Sequence, residues 1–112
     1  MNIQSTHFKL GIVGAGFSGT ALLAALHKLD AHPVEVILFE KTGAFGAGHA
    51  YQTPFSFHLL NARARDMSAF EDVPSHFSDW LTQDEEASHY IDSSMPVGEQ
   101  FVPRFLYRRY LQ

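Results

Sequence analysis

The fold is decided by the segment LGIVGAGFSGTALLAAL, residues 10–26, in which three glycines separate two apolar runs. The glycines are Gly14, Gly16 and Gly19, and they match the pattern G-x-G-x-x-G. The apolar run before them, residues 8–13, predicts a strand buried on both faces of a parallel sheet. The run after them, residues 20–29, predicts a helix because its leucines recur at helical spacing. The segment therefore predicts a tight strand-to-helix turn whose backbone is closely approached by another group.

A second strand is predicted from VEVILFE, residues 34–40, after Pro33 ends the helix. Strand, helix and strand together span about 33 residues, the size of one βαβ unit. The predicted fold class is therefore α/β, namely an incomplete Rossmann-type βαβ dinucleotide-binding fold with a parallel sheet and flanking helices. Since 112 residues fall near the size of one domain, we expect a single, partial dinucleotide-binding domain over residues 1–112.

Each glycine has a physical role if a dinucleotide binds at this turn. Gly14 permits the turn out of the strand, Gly16 lets the backbone contact a pyrophosphate, and Gly19 lets the helix pack close to the sheet. The positive end of the helix then faces the phosphates, and the Ser18 hydroxyl adds a donor. A tight turn with a purely structural role is the alternative interpretation.

An acidic residue in the expected place strengthens the dinucleotide interpretation. Glu40 lies 21 residues after Gly19, at the end of the second predicted strand, where a carboxylate binds both ribose hydroxyls and repels a 2′-phosphate. FAD or NAD is therefore favoured over NADP, although Lys41 beside Glu40 weakens that exclusion.

The rest of the chain predicts fewer regular elements. We expect a loop over residues 41–57, and a short helix over residues 75–81 with Pro74 just upstream of it, where a first helical turn tolerates proline. Residues 82–100 predict an exposed connection, and residues 103–112 predict a last helix opened by Pro103. The side chains expected to be apolar or core in these two helices are Phe77, Trp80, Leu81, Phe105, Leu106, Tyr110 and Leu111.

Composition excludes several classes of function. Hydrophobic residues at 46% and charged residues at 18% are typical of a folded globular protein, and a net charge of −4 does not favour nucleic acid or an anionic membrane as partner. The absence of cysteine excludes disulfides and thiolate chemistry and fits a cytoplasmic location, and no signal peptide or bilayer-spanning run is recognisable. The seven histidines have no metal-ligand spacing, so no metal site is expected.

The arginines form two sequence groups that could make local anion sites. Arg63 with Arg65 is predicted either to contact a phosphate or carboxylate or to form an exposed pair. The last helix carries Arg104, Arg108 and Arg109. Two interpretations of this helix remain open, namely that it docks a partner or that it is simply amphipathic. For His49 and His58, a role near cofactor or substrate and a hydrogen bond within the loop also both remain open.

The chain resembles a known family over about residues 9–111. The resemblance rests on the glycine turn followed by VEVILFEKTGAFGAGHAYQT, HLLNARARDMSAF, FSDWL and FVPRFLYRRYL. These segments are similar to the amino-terminal part of the bacterial FAD-NAD(P)-binding protein family, flavoprotein-like chains related in fold to glutathione reductase. The glycine pattern is shared by many families, whereas GAGHAY, HLLNARARDMS and FVPRFLY are far more specific.

The resemblance implies functional residues at matching positions. The FAD pyrophosphate is expected at Gly14, Gly16 and Gly19, with the adenosine ribose at Glu40. Residues 58–61 and 63–68 are expected toward the flavin or the substrate. The full set of expected cofactor-binding residues is Gly14, Ala15, Gly16, Phe17, Ser18, Gly19, Glu40, Lys41, Gly46, Gly48 and Asn61.

In one respect the chain departs from the family, whose members are several hundred residues long and have a second FAD-contacting segment. We therefore expect an FAD-binding amino-terminal segment of a flavoprotein oxidoreductase that is not active alone. The alternatives are an NAD-binding domain of a dehydrogenase and a non-catalytic nucleotide-binding or assembly module. A parallel sheet cut short leaves exposed edges, so the expected partners beyond the dinucleotide are a second copy or the missing remainder of the flavoprotein.

Overall fold

The structure is a computed structural model that describes residues 8–29 and 34–112. It begins with strand β1 (Phe8–Val13), helix α1 (Phe17–Leu29) and strand β2 (Val34–Phe39). The strands pair in parallel, with Phe8 opposite Val34 and Val13 opposite Phe39. The predicted α/β class is confirmed, and the chain forms an incomplete Rossmann-like fold. The predicted helix break at Pro33 lies outside the described residues, as do two of the seven histidines, His7 and His32.

The glycine turn joins β1 to α1 as tightly as the sequence predicts. Gly14 has a φ of +91°, a conformation that other residues rarely adopt, and its N–H donates to the Phe39 carbonyl over 2.7 Å. A Cβ on Gly19 would lie 2.2 Å from the Gly14 carbonyl oxygen. The helix therefore packs directly on the turn. It begins at Phe17, three residues earlier than the leucine spacing predicts.

The strands are far more exposed than their sequences predict. Among the described residues of the two strands Ile12 alone is buried, whereas Val13 is 88% exposed and Phe39 is 54% exposed. Helix α1, which is described in full, has no buried residue. The prediction that β1 is buried on both faces is therefore wrong for this structure. One helix beside a two-stranded sheet cannot cover both faces of that sheet.

The second half of the chain contains most of the core. It comprises α2 (His76–Gln83), α3 (Arg104–Leu111) and three short 3₁₀ turns at Ala64–Asp66, Ala87–Tyr90 and Val97–Glu99. A buried cluster joins them, formed by Leu60, Ala64, Phe77, Leu81, Ala87, Val102, Leu106 and Tyr107. We call residues 59–112 the helical region and residues 8–29 with 34–40 the βαβ region.

The helical region agrees with the sequence in its elements and departs from it in two details. Phe77 is buried as expected and Trp80 packs against the core, but the most deeply placed aromatic of α3 is Tyr107, which the helical pattern did not single out. The predicted exposed connection is wrong in part, because Gln100 is buried. Its side-chain amide donates to the carbonyls of Asp92 and Met95 and accepts from the Asp92 N–H, which folds this stretch onto the core.

Candidate functional site

A cavity of about 570 Å³ opens beside the glycine turn. Such a volume lies within the range of small-molecule and cofactor sites. One wall is the end of β1 and the start of α1, and the other is the segment 47–51. The lining residues are Ile12, Val13, Gly14, Gly16, Phe17, Ser18, Gly19, Leu22, Ala47, Gly48, His49, Ala50 and Tyr51.

The two walls are held together by backbone contacts. A Cβ on Gly16 would lie 3.3 Å from the Gly48 Cα, and a Cβ on Gly48 would lie 3.0 Å from the Gly16 Cα. Beside this contact, the Gly46 N–H donates to the Ala15 carbonyl over 2.7 Å. Gly16 is therefore required for a close approach between two segments of the chain itself. The sequence pattern by itself attributes the need for a small residue at position 16 to contact between the backbone and a ligand.

The wall at α1 presents hydrogen-bond donors to the cavity. Within residues 8–29 and 34–112, the N–H groups of Gly16, Phe17 and Ser18 have no acceptor. They lie at the positive end of a 13-residue helix, which attracts anions. The described lining residues include no carboxylate, and His49 is the lining side chain that can carry a positive charge. The cavity therefore fits an anionic group such as a pyrophosphate.

Glu40 reaches the glycine turn through its side chain. One carboxylate oxygen, Oε1, accepts from the Ala15 N–H over 3.2 Å, and Oε2 accepts from the N–H and the hydroxyl of Thr42 over 2.8 and 2.7 Å. The Thr42 backbone N–H, the Thr42 hydroxyl and the Ala15 N–H, in that order, hold the pKa of the Glu40 carboxyl below its usual value. Glu40 is ionised at neutral pH and ties the end of β2 to the turn.

The same contacts limit what else Glu40 can bind. A carboxylate offers about four lone-pair positions, and three of them are occupied here. One position on Oε1 remains for a ligand hydroxyl. Glu40 does not line the cavity at the turn, so a ribose would have to reach it at the cavity's edge.

The structure brings together only part of the predicted set of cofactor-binding residues. Those that line the cavity are Gly14, Gly16, Phe17, Ser18, Gly19 and Gly48. Ala15 is buried beneath the turn, and Gly46 belongs to a neighbouring cavity. Lys41 and Asn61 are exposed and do not line the cavity at the turn. Contacts of these last two residues with a cofactor therefore stay predictions.

Tyr51 is one of the lining residues that sequence reasoning missed, and it is the aromatic one among them. Its ring centroid lies 4.9 Å from that of Tyr107, and the Phe17 ring lies 6.0 Å from the same tyrosine. Burial raises the pKa of the Tyr107 hydroxyl well above its ordinary value. Both walls of the cavity thus rest on one buried side chain of α3. Only the specific segment GAGHAY pointed to Tyr51 beforehand.

The predicted anion sites at the arginine groups are mostly occupied by the protein's own groups. Arg63 and Arg65 both pair with Glu99, so they form an internal ion cluster. Arg109 pairs with Asp84 and Glu86, and Arg104 donates to the carbonyls of Leu59 and Ala50. For these four arginines the structure therefore shows contacts within the chain instead of a free anion site. Each already satisfies an acceptor within the chain.

The two histidines named from the sequence differ in their surroundings. His49 lines the cavity, as described above. His58 instead shares a hydrogen bond with the Thr53 hydroxyl and packs edge-on against the exposed rings of Phe55 and Phe57. For His58 the structure therefore shows the hydrogen bond within the loop.

Comparison with known proteins gives one match. The family model described as FAD-NAD(P)-binding matches residues 11–112, which is nearly the whole chain. No curated protein matched the chain. No solved structure matched it either. In the described part of the chain, no helix has the length and apolar character needed to cross a membrane.

Proposed function

The chain belongs to the FAD-NAD(P)-binding family, and we propose that its cofactor is FAD, bound with the pyrophosphate at the turn GAGFSG. The observation that carries this proposal is the cavity with unpaired N–H groups and no lining carboxylate among its described residues. Gly16, Phe17 and Ser18 would donate to the phosphate oxygens, and the helix dipole would favour their charge.

The adenosine ribose would lie at the Glu40 carboxylate. This part of the proposal is supported by the ionised state of Glu40 and by its free acceptor position on Oε1. An anionic carboxylate at this place repels a 2′-phosphate, so FAD or NAD would bind in preference to NADP. Glu40→Gln removes this repulsion, so we expect the variant to prefer NAD over NADP less strongly than the native protein does. Calorimetry with each nucleotide measures the two affinities.

We further propose that residues 1–112 act as one partial dinucleotide-binding domain of a bacterial, cytoplasmic flavoprotein oxidoreductase. Bound FAD would supply the redox chemistry, while the chain would bind and orient it. The helical region would serve as the support for both walls of the cavity, since Phe17 of one wall and Tyr51 of the other pack on Tyr107.

The decisive experiment changes one charge in the cavity without weakening the helix. Ser18 lies in the first turn of α1, where an aspartate stabilises a helix but repels a phosphate. We expect Ser18→Asp to lower FAD affinity at least about tenfold, because like charges meet at the site. Ser18→Asn is the matched neutral control and should retain most of the affinity. Flavin fluorescence quenching measures both, and thermal unfolding confirms that both variants fold.

The outcomes of this experiment separate the candidate functions. The proposed site is supported if FAD affinity falls in Ser18→Asp but not in Ser18→Asn. Binding of NAD but not of FAD by the native protein would favour the nicotinamide alternative. Failure to bind either nucleotide would leave a non-catalytic assembly module and would contradict the proposal.

The exposed strands bear on the partners of this domain. Phe8, Val13, Ile37 and Phe39 are all exposed large apolar residues of one small sheet. We propose that this sheet is covered by a second copy or by further segments of the flavoprotein. Sedimentation velocity over a range of concentrations tests self-association. A protein that stays monomeric at all concentrations would contradict cover by a second copy.

A further inference from the structure

A second cavity, also of about 570 Å³, lies on a neighbouring face of α1. It is an open cleft bordered by the first half of α1, the end of β2, the turn 42–46 and the last residues of α3. Four apolar side chains in its lining are Leu23, Leu38, Phe45 and Leu111. Arg108 is the charged side chain among its described lining residues. The two cavities share no lining residue, although both adjoin the glycine turn.

The walls of this second cavity are joined by specific contacts. The Gln112 side-chain amide donates to the Phe45 carbonyl over 2.7 Å. Gly46, with a φ of +84°, packs so closely on α3 that an added Cβ would lie 3.2 Å from the Leu111 Cβ. The Gly46 N–H is in turn bonded to Ala15. The turn 42–46 is thus fixed between α3 and the glycine turn, which makes the cavity a defined feature of the fold.

Arg108 differs from its neighbours on α3. Arg104 and Arg109 both bind acceptors of the protein. Arg108 is a partly buried residue whose guanidinium makes no hydrogen bond or ion pair within the described residues. A guanidinium presents five N–H donors and stays charged in proteins. The polar groups opposite it are already satisfied, since the Thr42 hydroxyl donates to Glu40 and accepts from the Ala44 N–H. The cavity therefore combines an unsatisfied cation with an apolar lining.

We propose that this second cavity binds a small organic carboxylate with an apolar body, whose carboxylate pairs with Arg108. The paired geometry of a guanidinium and a carboxylate provides two parallel hydrogen bonds, and the four apolar side chains would cover the rest of the ligand. The site is distinct from the proposed nucleotide cavity and does not depend on what that cavity binds.

The test uses phenylacetate as probe and its neutral amide, phenylacetamide, as the matched ligand. Binding is followed by methyl NMR shifts of Leu23, Leu38 and Leu111 in the whole chain, with and without FAD. We expect phenylacetate to shift these methyl signals and to bind at least about tenfold more tightly than phenylacetamide, because only the anion pairs with Arg108. Arg108→Gln should remove that difference.

A matched control lies one residue along the same helix. Arg109→Gln removes the same charge from the chain but lies outside the second cavity, so it should leave phenylacetate binding within about twofold of the native value, with long-range charge effects screened by salt. Equal losses in the two variants, or equal binding of acid and amide, would overturn the proposal. If FAD alone shifts the same methyl signals, the cavity belongs to the nucleotide, and the proposal is overturned. If the signals shift with protein concentration alone, the cavity belongs to a second copy, which also overturns it.

Discussion

The βαβ region and the helical region are both rich in large apolar side chains, yet they use them differently. In the helical region those side chains meet around Phe77, Leu106 and Tyr107, all of them fully buried or nearly so. In the βαβ region they lie on a two-stranded sheet and on helix α1, and this helix has no buried residue. Both regions therefore form regular elements, but burial is concentrated in the helical region. The comparison shows that a βαβ unit can have its full local geometry while its apolar faces still need cover.

The strongest test of this contrast truncates the same side chain in each region. We expect Phe77→Ala to lower the free energy of unfolding by about 3–5 kcal/mol, because it leaves a cavity in the core. Phe39→Ala on β2 should cost about 1 kcal/mol or less, since that ring is largely exposed. Urea unfolding followed by far-ultraviolet circular dichroism measures both. Equal costs would mean that the sheet is covered in solution.

A second test targets the glycine turn, where the two regions meet. In Gly19→Ala the new Cβ would collide with the Gly14 carbonyl, so α1 must move and FAD affinity should fall roughly a hundredfold, or about 2.7 kcal/mol. Gly43→Ala is the control, because a Cβ on Gly43 would meet open space. Gly43, unlike Gly19, has a positive φ, so this variant tests backbone strain without a collision. Retained affinity in Gly19→Ala would show that the turn does not support the nucleotide.

A third test concerns the carboxylate that joins β2 to the turn. The folded-state pKa of Glu40 lies below 4.5, so its contribution to stability is present above pH 4.5 and is lost as pH falls through the lowered value. Thr42→Val removes the hydroxyl donor and should move the Glu40 pKa back toward 4.5. Carbon NMR titration of the Glu40 carboxyl measures this shift, and Thr53→Val is a control remote from Glu40. An unchanged titration would contradict the bonding described here.

The smallest expected effect belongs to an ion pair between the two regions. Lys28 of α1 lies 2.6 Å from Asp72 and also 4.9 Å from the centre of the Phe70 ring. Both charged side chains are substantially exposed, so a double-mutant cycle with Lys28→Met and Asp72→Asn should give about 0.2–1 kcal/mol. A larger coupling would indicate that the pair is better shielded from water than its exposure in the structure implies. The reference for this coupling is the pair of Lys9 and Glu35, whose charged groups lie 3.8 Å apart within the sheet.

Local patterns predicted most of the elements because they depend on near neighbours along the chain. The apolar run before Gly14 gives β1, the β-branched run after residue 33 gives β2, and the leucine spacing gives α1. The positive φ of Gly14 and the close packing of Gly19 follow from the G-x-G-x-x-G spacing. These features, and the family to which the chain belongs, were determined by the sequence itself.

Only the tertiary structure decided which of those residues meet. The contact of Gly16 with Gly48, the placement of Tyr51 on Tyr107 and the bond from the Ala15 N–H to Glu40 join residues that lie far apart in sequence. Likewise, sequence alone could not show that Glu99 neutralises Arg63 and Arg65 while Arg108 lines a cavity. The physical reason is that spacing fixes the direction of a side chain on its own element. The partner it meets depends on how separate elements pack.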